Sequence, residues 1–289
     1  MSRLIPGLIA LAFVALPSVA AAQTNAFGYT MSSSALDYDY VAVPGTEVAL
    51  AMFDDAEVNV LLPWNFPFYG VDYPSIEVGD NGGIRLSPGE IDWGNACFPS
   101  VPGGAGLMDA PDIAVFWDDL QVDAILGTAA IYAWEDTVGG RFVVSWENIP
   151  EFTSLTATDG ATFQVHLYPS GDIEFHYADV AFGLFALNDD GVSATIGIQS
   201  MTGNVGGAVD ELEFSCDATA GLVGTGIVFT LCTDVDNDGA QDIYVGNYHL
   251  YPNQLWQNQG DGTYLNVAED VGAAFDDVES GQRLENCFG

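Results

Sequence analysis

Hydrophobic and polar positions alternate in short runs along most of this sequence after residue 23, and Pro or Gly separates many of the runs. Alternation with a period of two is typical of strands, and no long stretch has the 3.6-residue period of a helix. The pattern predicts an all-β protein, and the spacing of the runs favours an antiparallel β-sandwich. Predicted strands cover residues 48–53, 57–62, 75–79, 83–87, 113–117, 129–134, 141–147, 161–168, 172–178, 193–199 and 226–231.

One predicted hairpin can be given a register. Its two strands carry six alternating apolar residues: Phe163, Val165, Leu167, Ile173, Phe175 and Tyr177. The residues between the strands, 169–171, end in Gly, which is a favoured closure. The register puts the six side chains on one buried face and places His166 opposite Glu174 and His176 opposite Gln164. We interpret both histidines as members of a polar sheet face rather than as metal ligands or catalytic residues.

A second tight hairpin is predicted at Asp80-Asn81-Gly82-Gly83, because Asn-Gly readily supplies two consecutive residues at positive φ. A phosphate loop is not expected here, since Ile84-Arg85-Leu86 continues as a strand rather than opening a helix.

The first 22 residues have the features of a secretory signal peptide. Arg3 precedes an apolar run from Leu4 to Val19, and Ala20-Ala21-Ala22 follows that run. This run is shorter than the roughly 18 to 20 residues of a membrane span. We therefore expect residues 1–22 to be removed and the mature chain to be secreted or held at a bacterial cell surface, without membrane insertion.

The charge of the chain restricts its partners. Its 289 residues include 41 Asp and Glu against 4 Arg and no Lys, for a formal net charge of -37. Nucleic acid and anionic membranes attract clustered basic residues, so neither is expected as a partner. A surface of this kind attracts cations instead.

Four cysteines in an exported chain favour two disulfides: Cys97, Cys216, Cys232 and Cys287. Three pairings are possible. We favour Cys97 with Cys216 and Cys232 with Cys287, because each pair then lies on one side of a change in composition near Gly226.

The clearest chemistry lies in the nine residues 234–242. Carboxylates occupy positions 1, 3, 5 and 9 of this loop, and Gly239 at position 6 permits a sharp reversal. Such hard oxygens are the ligands that Ca²⁺ prefers. The predicted ligands are the four carboxylates and one backbone carbonyl: Asp234, Asp236, Asp238, Asp242 and Ala240. An EF-hand is not expected, because Val245 stands where its bidentate Glu would be required.

This loop and the residues after it resemble the calcium-binding repeat of the FG-GAP or VCBS type. The further matching residues are Ile243-Tyr244-Val245-Gly246-Asn247-Tyr248, Asn253-Gln254-Leu255-Trp256-Gln257-Asn258 and Gly260-Asp261-Gly262-Thr263-Tyr264. Such repeats recur and build a β-propeller. The resemblance implies a partial propeller-type repeat at residues 226–289, which we expect to be truncated.

Earlier motifs resemble NIDO-like extracellular β domains. They include Phe66-Pro67-Phe68-Tyr69-Gly70, Ile113-Ala114-Val115-Phe116-Trp117-Asp118-Asp119-Leu120 and Val144-Ser145-Trp146-Glu147-Asn148-Ile149-Pro150. The resemblance implies a domain that is also found ahead of repeat arrays in secreted bacterial proteins, and it implies no chemistry. We place this domain at residues 23–225.

These observations favour a secreted or cell-surface, calcium-binding adhesion or recognition protein without catalytic activity. Its ligand would be an extracellular protein or a glycan, on which Trp64, Trp93 or Trp134 could stack. A surface-layer or stalk component is the alternative. A secreted hydrolase is less favoured, since it would depend on an acidic pair such as Asp118-Asp119, or Glu90 with Asp92.

Overall fold

The computed structural model describes residues 23–25, 27–99, 108–122, 128–152, 159–183, 188–200, 210–231, 243–245, 254–258 and 263–267. The predicted signal peptide and the predicted Cys232–Cys287 disulfide lie outside these residues. The described part of the chain is all-β, and its one helical turn is the 3-10 helix Asp189–Gly191. None of its helices is long and apolar enough to cross a bilayer.

The strands are, in chain order, β1 Gln23–Thr24, β2 Tyr29–Ser34, β3 Glu57–Phe68, β4 Val71–Gly79, β5 Gly83–Arg85, β6 Glu90–Ile91, β7 Met108–Asp109, β8 Ile113–Trp117, β9 Ala130–Asp136, β10 Arg141–Ile149, β11 Ala161–Leu167, β12 Ile173–Asp179, β13 Thr195–Gln199, β14 Glu211–Cys216, β15 Gly226–Leu231, β16 Ile243–Val245, β17 Gln254–Asn258 and β18 Tyr264–Asn266.

Two antiparallel sheets form the sandwich. Sheet A has the spatial order β1-β2-β15-β12-β11-β10-β9, and sheet B has the order β14-β13-β8-β5-β4-β3. The short strands β6 and β7 pair in parallel beside them, and β16, β17 and β18 form a separate three-stranded sheet.

The predicted register of the β11–β12 hairpin is confirmed. Phe163 pairs with Tyr177, Val165 with Phe175 and Leu167 with Ile173. All six apolar side chains are fully buried in the core between the sheets. Alternation fixes this result, because a slip of one residue would turn all six away from the core.

Aromatic rings and hydrogen bonds connect the two sheets across this core. The ring of Phe163 in sheet A lies 5.4 Å from that of Phe116 in sheet B and 5.1 Å from that of Trp146. The Tyr177 hydroxyl donates to the Val115 carbonyl at 2.6 Å, and Trp146 Nε1 donates to the Gly79 carbonyl at 3.0 Å. The polar atoms of these large side chains are thus satisfied inside the core.

A flap of residues 87–99 covers the part of the outer face of sheet B around β5 and β8. Its Ile91 forms a second, smaller apolar cluster with Ala110, Ala114 and Trp117. The disulfide Cys97–Cys216 joins the flap to β14 across a sequence separation of 119 residues, which confirms the pairing favoured from the sequence.

Two predicted boundaries differ from the structure. Residues 48–53 do not form a strand; Leu50 and Met52 pack against the core, but the segment makes a single backbone hydrogen bond to β9, from Leu50 to Ile131. The change in composition near Gly226 predicts a domain boundary there, yet β15 pairs with both β2 and β12 inside sheet A. Residues 217–225, between β14 and β15, form a loop within the sandwich.

The turn at Asp80-Asn81-Gly82 also differs in detail. Gly82 alone has a positive φ, of 71°, so the loop is a three-residue closure rather than a two-residue Asn-Gly turn. A Cβ at Gly82 would lie 1.9 Å from the Phe116 carbonyl oxygen, so only Gly fits this position.

Three short strands follow the predicted calcium loop. β16 pairs with β17, and β17 pairs with β18. The three strands form an antiparallel sheet and do not make a propeller.

We predict that Cys97→Ser/Cys216→Ser destabilises the sandwich by about 2–5 kcal/mol, because the disulfide closes a long loop and holds the flap on sheet B. Urea unfolding of the oxidised wild type and of the variant measures the difference. As a matched control, Cys232→Ser/Cys287→Ser should leave the sandwich transition unchanged. Equal midpoints for the wild type and the Cys97→Ser/Cys216→Ser variant would contradict the prediction.

Candidate functional site

The predicted calcium ligands Asp234, Asp236, Asp238, Ala240 and Asp242 lie outside the described residues. The structure describes the residue that follows them, Ile243, as the first of β16, opposite Trp256 of β17. The loop therefore stands immediately before a paired strand. Two other clusters of ionisable side chains lie within the sandwich, one on the outer face of sheet A and one at the ends of several strands.

A strap of residues 37–41 covers the outer face of sheet A. The Asp39 amide donates to His176 Nδ1 at 3.1 Å, and the Val41 amide donates to Gln164 Oε1 at 3.1 Å. Gln164 Nε2 donates in return to the Val41 carbonyl at 2.6 Å. A Cβ at Gly226 would lie 2.3 Å from the Asp37 carbonyl oxygen, so this Gly lets the strap approach β15 closely.

Beneath the strap lies a polar layer that has almost no exposed surface. His166 and His176 are 0% exposed and Glu174 is 1% exposed. The predicted pairing of His166 with Glu174 and of Gln164 with His176 is confirmed. The polar face of the hairpin is therefore buried rather than solvated, because the strap covers it.

Arg141 supplies the positive charge in this layer. Its Nη1 lies 2.6 Å from Asp39 Oδ2 and 3.1 Å from His166 Nδ1, and its Nε lies 3.0 Å from Asp136 Oδ2. Tyr168 donates to Glu174 Oε2 at 2.7 Å. The layer thus joins strap and sheet through charge-assisted hydrogen bonds.

The hydrogen bonds assign the tautomers of both histidines. Nδ1 of His166 accepts from Arg141, which can only donate, so Nε2 carries the proton and donates to Gln164 Oε1 at 3.2 Å. Nδ1 of His176 accepts from the Asp39 amide, so its Nε2 also carries the proton. This Nε2 lies 3.3 Å from Glu174 Oε2 without being aligned for a hydrogen bond.

The His166–Glu174–His176 group has the composition of a metal site, and its ligand atoms lie within 4.8 Å of one another. Its hydrogen bonds do not fit that role. Both Nδ1 lone pairs accept protons, both Nε2 atoms carry them, and the Arg141 guanidinium contacts His166. A metal ion would have to displace these donors, so the group is better explained as a structural network. The other such group among the described residues, Glu213 with Cys97 and Cys216 in sheet B, offers no thiolate, because the two sulfurs are bonded to each other.

Burial keeps both histidines neutral. The pKa of His166 is lowered to about 2, chiefly by burial and also by the nearby charges of His176 and Arg141. The pKa of His176 is lowered to about 4. Burial is the main cause, Arg141 adds to the lowering, and Asp39 partly offsets it.

The second cluster, here called the acidic group, gathers carboxylates from four separate segments at the ends of strands. Its members are Asp54, Asp55, Asp80, Asp118, Asp119 and Glu151. Asp54 and Asp55 form an exposed turn before β3, whereas Asp80 in the β4–β5 turn has no exposed surface. Asp118 and Asp119 follow β8 in a bend, and Glu151 is brought close by the bridge between it and Leu120.

One buried oxygen of the acidic group has no hydrogen-bond partner among the described residues. Asp80 Oδ1 accepts from the Ala56 amide at 3.2 Å, and Asp55 Oδ1 accepts from Asn81 Nδ2 at 3.2 Å. Asp118 Oδ2 accepts from the Ser193 hydroxyl at 2.6 Å. Asp80 Oδ2 is buried and has no donor among the described residues.

Burial raises the pKa of three of these carboxyls. The pKa of Asp80 is raised to about 8. Burial is the main cause, Asp54, Asp55 and Glu57 add to the rise, and the hydrogen bond from the Ala56 amide opposes it. The pKa of Asp118 rises to about 7 and that of Asp119 to about 6, again chiefly through burial. The charged groups that raise the pKa of all three are other carboxylates, and no basic side chain of the described residues is among the groups that act on them.

The acidic pairs considered for hydrolysis are placed differently. Asp118 and Asp119 lie in the bend after β8 rather than on a strand, and Asp118 Oδ1 accepts from the Asp119 amide at 2.9 Å. Glu90 is an exposed residue of β6, and Asp92 Oδ1 accepts from the Gly94 amide at 3.0 Å.

A family model described as NIDO related matches residues 28–222, about two thirds of the chain. The chain belongs to the NIDO-related family. No curated protein and no solved structure matches it. The match covers the strap, the polar layer and the acidic group of this NIDO-related domain, and it ends before the predicted calcium loop.

Sequence reasoning located the two histidines but missed the strap and the acidic group. The sequence does contain one indication of the acidic group. Pairs of neighbouring acidic or amide residues occur next to three strand ends: Asp54-Asp55, Asp80-Asn81 and Asp118-Asp119. Their positions along the chain are far apart, and only the order of strands in sheet B brings them together. The strap carries no comparable signal, because residues 37–41 resemble an ordinary acidic loop.

We predict that the buried histidines make the domain less stable in acid. A folded-state pKa below the unfolded value of about 6.5 gives stability that is present above pH 6.5 and is lost as the pH falls towards the folded pKa. At pH 5 this loss is about 2 kcal/mol for each histidine. His176→Gln removes one titrating group while keeping an acceptor for the Asp39 amide and a donor towards Glu174.

Urea unfolding of the wild type and of His176→Gln at pH 5, 6, 7 and 8 measures the difference. The two stability curves should run parallel above pH 7 and separate below it, with the wild type losing more. The carboxyls of the acidic group titrate in both chains and cancel. Parallel curves down to pH 5 would contradict the buried neutral state of His176.

Proposed function

We propose that this protein acts outside the cytoplasm as a non-catalytic, calcium-stabilised recognition or adhesion protein. The observation that carries the proposal is the nine-residue pattern of Asp234, Asp236, Asp238, Gly239 and Asp242 directly before a paired strand. Alternating carboxylates in a tight loop match the preference of Ca²⁺ for six or more oxygen ligands. In this proposal Asp234, Asp236, Asp238, Ala240 and Asp242 hold the ion as part of an FG-GAP or VCBS-type repeat.

Features of the NIDO-related domain support the role of a secreted scaffold. Its Cys97–Cys216 disulfide suits an oxidising compartment. A strap covers the polar layer of sheet A, and a flap covers the part of sheet B around Ala114 and Trp117. Trp93, beside the flap's exposed Gly94, is 53% exposed and is available to stack on a sugar, whereas Trp134 is 7% exposed.

We predict that calcium raises the thermal stability of the carboxy-terminal segment and that Asp236→Ala abolishes this effect. Binding to the folded state alone stabilises by about 2.7 kcal/mol at a free ligand concentration of about 100 times Kd. Thermal unfolding of the mature wild type and of Asp236→Ala, each in calcium and in chelator, measures it. Glu135→Ala is the control, since Glu135 is an exposed carboxylate of β9 and should respond to calcium as the wild type does.

Equal responses of the wild type and Asp236→Ala to calcium would contradict calcium binding by residues 234–242.

Sedimentation velocity on the same samples distinguishes a recognition protein from a surface-layer component. A recognition protein should remain monomeric when calcium is added, whereas ordered polymers would favour the surface-layer alternative.

A further inference from the structure

We propose that Gln23 is a modification site: once residues 1–22 are removed, its α-amine attacks its own side-chain amide and closes a neutral pyroglutamate ring. The proposal rests on the export step of the proposed function, because cleavage after Ala22 makes Gln23 the first residue of the mature chain. It does not depend on calcium binding by residues 234–242.

The sequence and the fold place the new amino terminus at the same residue. Ala20 and Ala22 supply the small side chains at alternate positions that a signal cleavage site requires, and Gln23 follows them directly. The first strand of the described chain, β1, begins at Gln23 and pairs with β2. Cleavage after Ala22 therefore leaves β1 whole and puts a glutamine at its amino end.

The start of the mature chain is attached to the sandwich while Gln23 itself stays accessible. Gln23 pairs with Met31 in the register of β1 and β2, and β1 is the outermost strand of sheet A. A little further on, the Phe27 amide donates to Asp210 Oδ2 at 2.7 Å. Gln23 is nevertheless exposed. Its side chain therefore has room to turn back on its own α-amine.

The ring closure needs no other reactant. The α-nitrogen of Gln23 bonds to its own Cδ, the bond from Cδ to Nε2 breaks, and ammonia leaves with one proton from the amine. An ordinary α-amine has a pKa of about 7.7–8.0, so part of it is neutral and nucleophilic at pH 7. Because both groups belong to one residue, the attack is intramolecular and has the advantage of proximity.

The modified terminus is compatible with β1. The five-membered ring contains only atoms of residue 23, which keeps one N–H donor and one backbone carbonyl acceptor. The charge of the terminus, however, is lost.

The composition of the chain makes this loss chemically distinctive. The sequence contains no Lys, so the α-amine of Gln23 is the sole primary amine of the mature chain. Its cyclisation leaves a protein without any primary amine, which an amine-reactive reagent can detect.

The test uses the full chain, expressed with residues 1–22 in a secreting bacterial host, purified after export and incubated at neutral pH. Intact-mass spectrometry should give the mass of residues 23–289 less one ammonia, after allowance for disulfides. An amine-reactive dye should fail to label the unfolded protein. Pyroglutamyl aminopeptidase should restore labelling, because it removes the ring and frees the amine of Thr24.

The matched control is Gln23→Asn, which keeps a side-chain amide but is one methylene shorter. Its ring would have four members and should not close, so this variant should keep its ammonia and take up one dye per chain. Its intact mass checks that cleavage still occurs after Ala22.

Two outcomes would overturn the proposal, and they differ in what they say about export. Wild-type chains that start at Gln23 and are labelled as fully as Gln23→Asn would exclude cyclisation while leaving export in place. Chains that keep residues 1–22, or that start at another residue, would exclude both the predicted cleavage and the modification. Neither outcome affects the calcium response of residues 234–242, which Asp236→Ala tests separately.

Discussion

The central hairpin of β11 and β12 is buried on both faces, and this constraint governs much of the NIDO-related domain. One face carries six apolar side chains into the core between the sheets. The other carries Gln164, His166, Glu174 and His176, which have 0–1% exposure. Buried polar groups must find partners, so the strap, Arg141 and Tyr168 supply donors and acceptors for this face.

Different interactions hold the segments that cover the outer faces of the two sheets. On sheet A, hydrogen bonds from the backbone of Asp39 and Val41 hold the strap over a polar layer. On sheet B, a small apolar cluster around Ile91 and Trp117 holds the flap, and Cys97–Cys216 makes the attachment covalent. The carboxylates of the acidic group, at the strand ends, take part in neither of these two layers. Because the chain has a net charge of -37, few basic side chains are available to neutralise them.

The sequence predicted those parts of the fold that depend on local alternation. Phe163, Val165 and Leu167 specify their partners because a period of two leaves a single register that buries them all. Strand β8 was predicted with its observed limits, since Ile113–Trp117 is a continuous apolar run between polar residues. Strands β2 and β14 were missed, because Ser-rich and Glu-rich segments lack that signal.

What alternation cannot predict is which loop lies over which face. The polar positions of β11 and β12 look solvated in the sequence, and only the path of residues 37–41 makes them buried. In the same way, Asp80 looks like an exposed turn residue in the sequence, and it meets Asp118 and Asp119 because sheet B places β4, β5 and β8 side by side. Both clusters depend on contacts between residues that are far apart in the chain.

Amide hydrogen exchange at Asp39 and Val41, followed by NMR, tests most directly whether the strap is docked on a buried polar layer. Both amides donate to side chains of the sheet although they lie in an irregular segment. We predict that the protection of these two amides approaches that of the β11 and β12 backbone amides. Exchange as fast as that of exposed loop amides would contradict it.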